Sequence, residues 1–196
     1  MRIAEISRKT NETDISINLN IDGKGSYQIS TGIGFLDHMI SHLAVHGLFD
    51  IRLNAKGDLD VDTHHTMEDC ALALGQAFDK ALGDRKGIVR IGSSYVPMDE
   101  SLALVVIDLS GRPYSLIKPN WKTPIVGNIP TSQFDHFFES FAVTARCNIH
   151  CQTISAIDDH HQAEALFKAF GRAIDEASIL EPRRKGIIPS TKGSLA

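Results

Sequence analysis

His64-His65-Thr66-Met67-Glu68 returns later in the chain as His160-His161-Gln162-Ala163-Glu164. On a helix, positions three and four apart share a face, so each glutamate can stand beside either histidine of its pair. The match continues past the motif. Setting His64–Leu82 against His160–Ser178 also pairs Ala73 with Ala169, Gly75 with Gly171, Ala77 with Ala173, Asp79 with Asp175 and Ala81 with Ala177. Average composition gives about one or two chance identities in such a window, so we read an internal duplication. An upstream segment agrees: Phe35–Leu53 against Gln133–Cys151 shares Asp37/Asp135, His38/His136, Ala44/Ala142, Val45/Val143 and Ile51/Ile149.

Each half thus carries an Asp-His pair on a first helix and His-His-x-x-Glu on a second. Six histidines and two glutamates divide naturally into two metal sites of three His and one Glu each. A lone histidine is usually a packed or capping side chain; a repeated pair with a matched third histidine reads as metal ligands. Imidazole and carboxylate without thiolate suit manganese, iron(II), cobalt or zinc rather than calcium. Successive helical side chains diverge by about 100°, so adjacent histidines are expected to serve different ions, one of each pair per metal.

The remaining pattern predicts an α+β fold. Alternating Asp14–Ile21 is a half-buried strand, with Met1–Arg8 a strand before it. After the Asp22–Gly25 turn, Ser26–Ser30 is expected to complete a hairpin with Asp14–Ile21. Phe35–His46 has helical spacing and Gly47 as its stop. Asp50–Lys56 is a strand, and Thr63 or Asp62 caps a helix ending near Leu82-Gly83. The second half repeats the order: strands Val89–Met98, Leu102–Leu109 and Pro113–Ile117, a loose loop through Trp121, Pro124 and Gly127, helix Ser132–Arg146, strand Cys147–Ser155 and helix Asp159–Ser178. We expect repeats 1–87 and 88–196, each with a four-stranded sheet and two helices, joined at Gly83–Gly87 into one compact unit.

Composition narrows the class. At 42% hydrophobic and 22% charged residues the chain can bury a real core. A net charge of −4 argues against nucleic acid, so any anionic ligand needs a local basic cluster. Cys70, Cys147 and Cys151 form no CxxC and read as reduced core thiols. No apolar leader or membrane span is visible, and a cytoplasmic location is expected.

Five segments carry a resemblance: Gly34–Met39 (Gly-Phe-Leu-Asp-His-Met), Asp62–Asp69 (Asp-Thr-His-His-Thr-Met-Glu-Asp), Asp108–Pro113 (Asp-Leu-Ser-Gly-Arg-Pro), His160–Ala169 and Pro189–Ser194 (Pro-Ser-Thr-Lys-Gly-Ser). Together they resemble imidazoleglycerol-phosphate dehydratase, a histidine-biosynthesis enzyme, over essentially the whole chain. The resemblance implies two manganese(II) ions per subunit. One takes His64, His136, His160 and Glu164; the other takes His38, His65, Glu68 and His161. It also implies a homo-oligomer, a 24-subunit shell in that family, with active sites shared between subunits.

The implied substrate is an imidazole whose hydroxylated side chain ends in phosphate. Its side-chain proton has no neighbouring carbonyl and is barely acidic. A metal-held imidazolate can expel the adjacent hydroxyl, after which the C–H acidifies and an enol tautomerises to the ketone. The resemblance makes Glu12 the general acid/base. It assigns Arg90, Arg112, Lys168, Ser190 and Lys192 to the phosphate, where charge-assisted donors are needed. It departs at His42, where many members carry Gln. Imidazole can still hydrogen-bond substrate hydroxyls, but its protonation would then matter. His46, one turn on, is expected to line the same pocket; His150 receives no role. The rivals are a dinuclear hydrolase, which wants more bridging carboxylates, and a metal-assembled structural or storage protein, which has no use for the basic residues.

Overall fold

The computed structural model describes residues 1–195. The first four-stranded sheet holds β1 (Ile3–Lys9), β2 (Thr13–Asn20), β3 (Tyr27–Ser30) and β4 (Asp50–Gly57) in the order β1-β2-β4-β3. The second holds β5 (Ile91–Met98), β6 (Ser101–Asp108), β7 (Tyr114–Lys118) and β10 (Asn148–Ser155) in the order β5-β6-β10-β7. The two orders correspond strand for strand. Helices α1 (Gly34–Gly47), α2 (His64–Leu82), α3 (Thr131–Ala145) and α4 (Asp159–Ser178) complete the α+β fold. The alternation read in Asp14–Ile21 has its physical cause here: Ile15, Ile17 and Leu19 of β2 are buried while Asp14, Ser16 and Asn18 face solvent.

Three expectations are corrected. Ser26–Ser30 does not form a hairpin with β2; the hairpin partner of β2 is β1, and β3 lies parallel to β4 at the far edge. The Asp50 carboxylate draws the chain there by accepting from the Lys24 and Ser26 amides at 3.0 Å each. Gly47 is not the stop of α1; Leu48 closes it in the left-handed conformation, φ 56°. The loop through Trp121 is not loose. It carries a short hairpin, β8 (Ile125–Val126) with β9 (Ile129–Pro130), and the buried Asp159 carboxylate pins it through the Lys122 and Thr123 amides.

Helix pairing crosses the repeats. Helix α2 packs on α3, and α1 on α4. Glycine permits both approaches. A Cβ at Gly75 would stand 2.7 Å from the Phe141 carbonyl and 2.9 Å from the Ala145 amide. A Cβ at Gly171 would stand 2.9 Å from the Leu43 carbonyl and 3.0 Å from the Gly47 amide. Leu43 and Phe141 are matched positions of the duplication. Helices α3 and α4 are instead spaced by phenylalanine rings, Phe138 against Phe167 at 5.0 Å and against Phe170 at 5.4 Å. Each fully buried ring contributes about 1.5–3 kcal/mol, so this layer fixes the helices that hold the histidines.

Candidate active site

Both histidine pairs sit in the first turn of their helices, each started by a carboxylate two residues ahead. Asp62 accepts from the His64 amide at 2.7 Å, and Asp158 accepts from the amides of His160 at 2.7 Å and His161 at 3.2 Å. Capping by Asp62 rather than Thr63 has a simple reason: the Thr63 hydroxyl donates to Gln133 at 2.7 Å. With their backbone donors satisfied in this way, the imidazoles are left to project outward.

Two clusters result. In the first, Glu68 lies 3.5 Å from His64 Nε2 and 3.4 Å from His136 Nε2, and the two rings stack at 5.2 Å. In the second, Glu164 Oε1 lies 3.0 Å from His38 Nε2 and 3.1 Å from His160 Nε2. In both groups the potential ligand atoms lie within 4.8 Å of one another. Cross-repeat helix pairing is the cause: His136 of α3 meets α2, and His38 of α1 meets α4. Adding the neighbouring His65 and His161 gives each cluster three His and one Glu.

This grouping is not either ligand set implied by the resemblance. The first cluster supplies His64 and His136 to one set and His65 and Glu68 to the other. The second supplies His160 and Glu164 to one, and His38 and His161 to the other. One chain therefore presents two half-sets of each kind rather than a completed set.

Around the second cluster, burial opposes ionisation of Glu164, but the Lys168 ammonium at 2.7 Å and His38 outweigh it and hold the carboxyl at about 2. His42 Nε2 lies 3.2 Å from His38 Nε2. Burial pushes the His42 ring down to about 4 despite the pull of Glu164. His46, one turn on, keeps its ring centroid 5.8 Å from that of His42, at the edge of the cluster. It lines a cavity of about 540 Å³ with Val45, Ser93, Arg172 and Glu176. His150 is exposed beside Tyr114, ring centroids 5.9 Å apart.

Two carboxylates escaped the sequence reading. Asp58 Oδ2 lies 3.0 Å from His65 Nδ1, and Glu100 Oε2 lies 2.9 Å from His161 Nδ1. These bonds raise both histidines above their usual range. Glu100 is itself held at about 2 by His161 and the Asp158 amide. Glu12 is different: its carboxylate is half exposed and stands 3.8 Å from His65 Nε2, with no hydrogen-bond donor among the described residues.

The residues expected to meet the phosphate divide in two. Arg90 is gripped by Asp108 at 2.7 and 2.9 Å and donates to the Pro189 carbonyl at 2.8 Å, anchoring the tail that carries Ser190 and Lys192. Arg90, Arg184, Pro189, Ser190 and Thr191 border a cavity of about 440 Å³. Arg112, near the same end of β6, has an exposed side chain with no ion pair among the described residues. Lys168 is elsewhere, on Glu164 and on Met98 Sδ at 3.3 Å. The Arg90 amide donates to Ala177 near the end of α4, whereas Glu164 lies near its start. At 1.5 Å per residue that backbone separation is about 20 Å.

A sequence model of the family described as imidazoleglycerol-phosphate dehydratase matches residues 31–174. The imidazoleglycerol-phosphate dehydratase of Roseiflexus sp. (strain RS-1) is 54% identical over 194 residues, covering 99% of this chain and 98% of the relative. That of Caldanaerobacter subterraneus subsp. tengcongensis is 54% identical over 195 residues, covering 100% of both. The crystal structure of the Staphylococcus aureus N315 enzyme superposes with a TM-score of 0.81 at 35% identity, covering 89% of this chain and 97% of that one. The Pyrococcus furiosus enzyme in complex with (S)-C348 gives 0.80 at 32% identity, covering 97% and 100%. The chain belongs to the imidazoleglycerol-phosphate dehydratase family.

Proposed function

We propose that this chain converts D-erythro-imidazoleglycerol phosphate to imidazole acetol phosphate and water in histidine biosynthesis, using two manganese(II) ions per subunit. The observation that carries the reading is the pair of His/Glu clusters, each of which, with the adjacent His65 or His161, holds half of both expected ligand sets. The donors fit such an ion: ring nitrogens and carboxylate oxygens converge without a thiolate. A divalent ion bound there supplies a Lewis acid that stabilises negative charge developing on the substrate imidazole.

The chain's own residues do the rest. Glu12 takes the proton from the side-chain carbon and returns one as the enol becomes the ketone, while the departing hydroxyl leaves as water. Arg112, Ser190 and Lys192 hold the phosphate, with Arg90 fixing the tail. Lys168 keeps Glu164 ionised and adds positive charge. The backbone of Arg90, whose side chain holds the tail, lies about 20 Å along α4 from Glu164, and on this reading the phosphate bound at the tail belongs to a substrate on a neighbouring copy. Completed ligand sets likewise draw on two copies. A closed homo-oligomer follows, and the resemblance supplies its number, 24.

Metal analysis with turnover of imidazoleglycerol phosphate tests the reading. Water loss should require a divalent ion and stop with a chelator, and gel filtration should show the particle shrinking. A metal-loaded protein that leaves the substrate untouched would refute the activity; an unchanged size after proven metal removal would refute metal-joined assembly. The phosphate assignment has its own check. Losing a charged hydrogen-bond partner costs about 1.5–3 kcal/mol, about 10–150-fold in affinity. Arg112→Ala should weaken substrate and inorganic phosphate together by that factor, and unaltered affinity for both would remove Arg112 from the site.

A further inference from the structure

The two hairpin tips are equivalent by duplication. In the β1–β2 hairpin Ile3 pairs with Asn20, and in the β5–β6 hairpin Ile91 pairs with Asp108. Carrying that register to the turns places Asn11-Glu12 opposite Asp99-Glu100. The equivalent glutamates nevertheless have different surroundings. Glu100 is fully engaged: it accepts from His161 Nδ1 and the Asp158 amide at 2.9 Å each, from the Ser101 hydroxyl at 3.2 Å and from the Ile157 amide at 3.4 Å. Glu12 accepts from nothing among the described residues and faces the outer nitrogen of His65. The inner nitrogen of His65 is taken instead by Asp58, which follows β4 and has no counterpart in the turn.

We propose that Asp58 and Glu100 are positioning residues that hold His65 and His161 as Nδ1–H tautomers with Nε2 turned outward, and that Asp58, by taking this task in the first repeat, leaves Glu12 free. The inference deepens the metal-dependent dehydratase reading and rests on it. An imidazole can offer a metal only the nitrogen that lacks a proton, and the hydrogen bond made by the other nitrogen decides which one that is. A carboxylate is an acceptor only, so the nitrogen facing it must carry the proton. Asp58 has little else to do. Its Oδ1 is buried without a partner among the described residues, so the bond to His65 is its side chain's single hydrogen bond there. Glu100 also holds the start of the α4 segment, and Asp58 is therefore the cleaner test.

The divergence explains how a two-fold set of ligands serves a one-sided reaction. A carboxylate with four donors on it is a poor proton acceptor, whereas a solvated carboxylate at a hairpin tip is available. The second repeat spends its hairpin glutamate on orientation, and the first keeps its own for proton transfer.

The test uses the full-length chain with ¹⁵N-labelled histidine. In the metal-free parent the ¹⁵N shifts of His65 and His161 should report protonated Nδ1 at pH above their titration. Asp58→Ala should mix the tautomers of His65 alone, and Glu100→Ala those of His161 alone. Asp58→Asn, which keeps an acceptor oxygen, should restore the parent pattern. Manganese titration of the same proteins should show affinity falling about 10–100-fold in the alanine variants, the usual effect of removing a ligand's partner, with circular dichroism unchanged. Parent tautomers in Asp58→Ala would overturn the proposal, and so would metal affinity within two-fold of the parent. Should Asp58→Ala unfold, Asp58→Asn still decides, since a mixed tautomer there refutes the acceptor role. A chain that passes these tests but does not turn over imidazoleglycerol phosphate would refute the dehydratase reading alone.

Discussion

Glu12→Gln should bind both metals and substrate nearly as the parent does and lose turnover by about 10²–10⁴-fold, the usual worth of general acid–base catalysis. The substitution keeps size and hydrogen bonding and removes only the base. Other acids near the clusters are committed. Glu68 and Glu164 lie among the clustered histidines, Asp58 and Glu100 are on histidine Nδ1 atoms, and Asp62 and Asp158 start the helices. Glu12 is left beside His65 Nε2 at 3.8 Å, exposed enough to exchange protons with water. Single-turnover kinetics with metal content confirmed makes the measurement. Turnover within a few-fold of the parent would move the role to another group, His42 or His46 among them.

A second large effect concerns the division of ligands between chains. A variant lacking His64 and Glu68 breaks the first cluster, and one lacking His38 and Glu164 breaks the second. Each alone should lose more than the about 100-fold typical of outer partners, because ligands themselves are gone from every site. Mixing the two metal-free variants and then adding manganese should recover activity. Some interfaces would join an intact first cluster to an intact second one and so complete both ligand sets. If both sets closed within one chain, no mixture of these variants could contain a working site, and activity would stay at the level of the separate variants.

Much of this was legible in the residues themselves. The repeated His-His-x-x-Glu, the matched His38 and His136, and the helical period put each candidate ligand on a helix, and the structure gathers six of them into two clusters. Periodicity does not say which helix lies beside which, and so the sorting of ligands into clusters was open until Gly75 and Gly171 were seen to bring α2 to α3 and α4 to α1. The placement of β3 is hidden for a similar reason: alternation marks a strand, but the distant Asp50 carboxylate selects its partner. Asp58 and Glu100 had the look of surface acids. For Glu100 a signal did exist. Setting Arg2–Asn20 against Arg90–Asp108 pairs Arg2 with Arg90, Ile3 with Ile91 and Glu12 with Glu100. Asp58 has no such trace, because its role arose in one repeat only.

The crossed pairing of helices at Gly75 and Gly171 bears on ancestry. A free-standing half would own one copy of each helix and one glycine, with the matching close-packed partner helix missing. Two identical halves set side by side exchange these partners reciprocally, and both glycine contacts form at once. The present chain thus has the inner geometry of a homodimer whose members have been spliced end to end. On that view sharing ligands across a boundary preceded the fusion. Once two halves were fused, each could drift alone, and a pair of once-identical hairpin glutamates could part into an orienting residue and a reacting one.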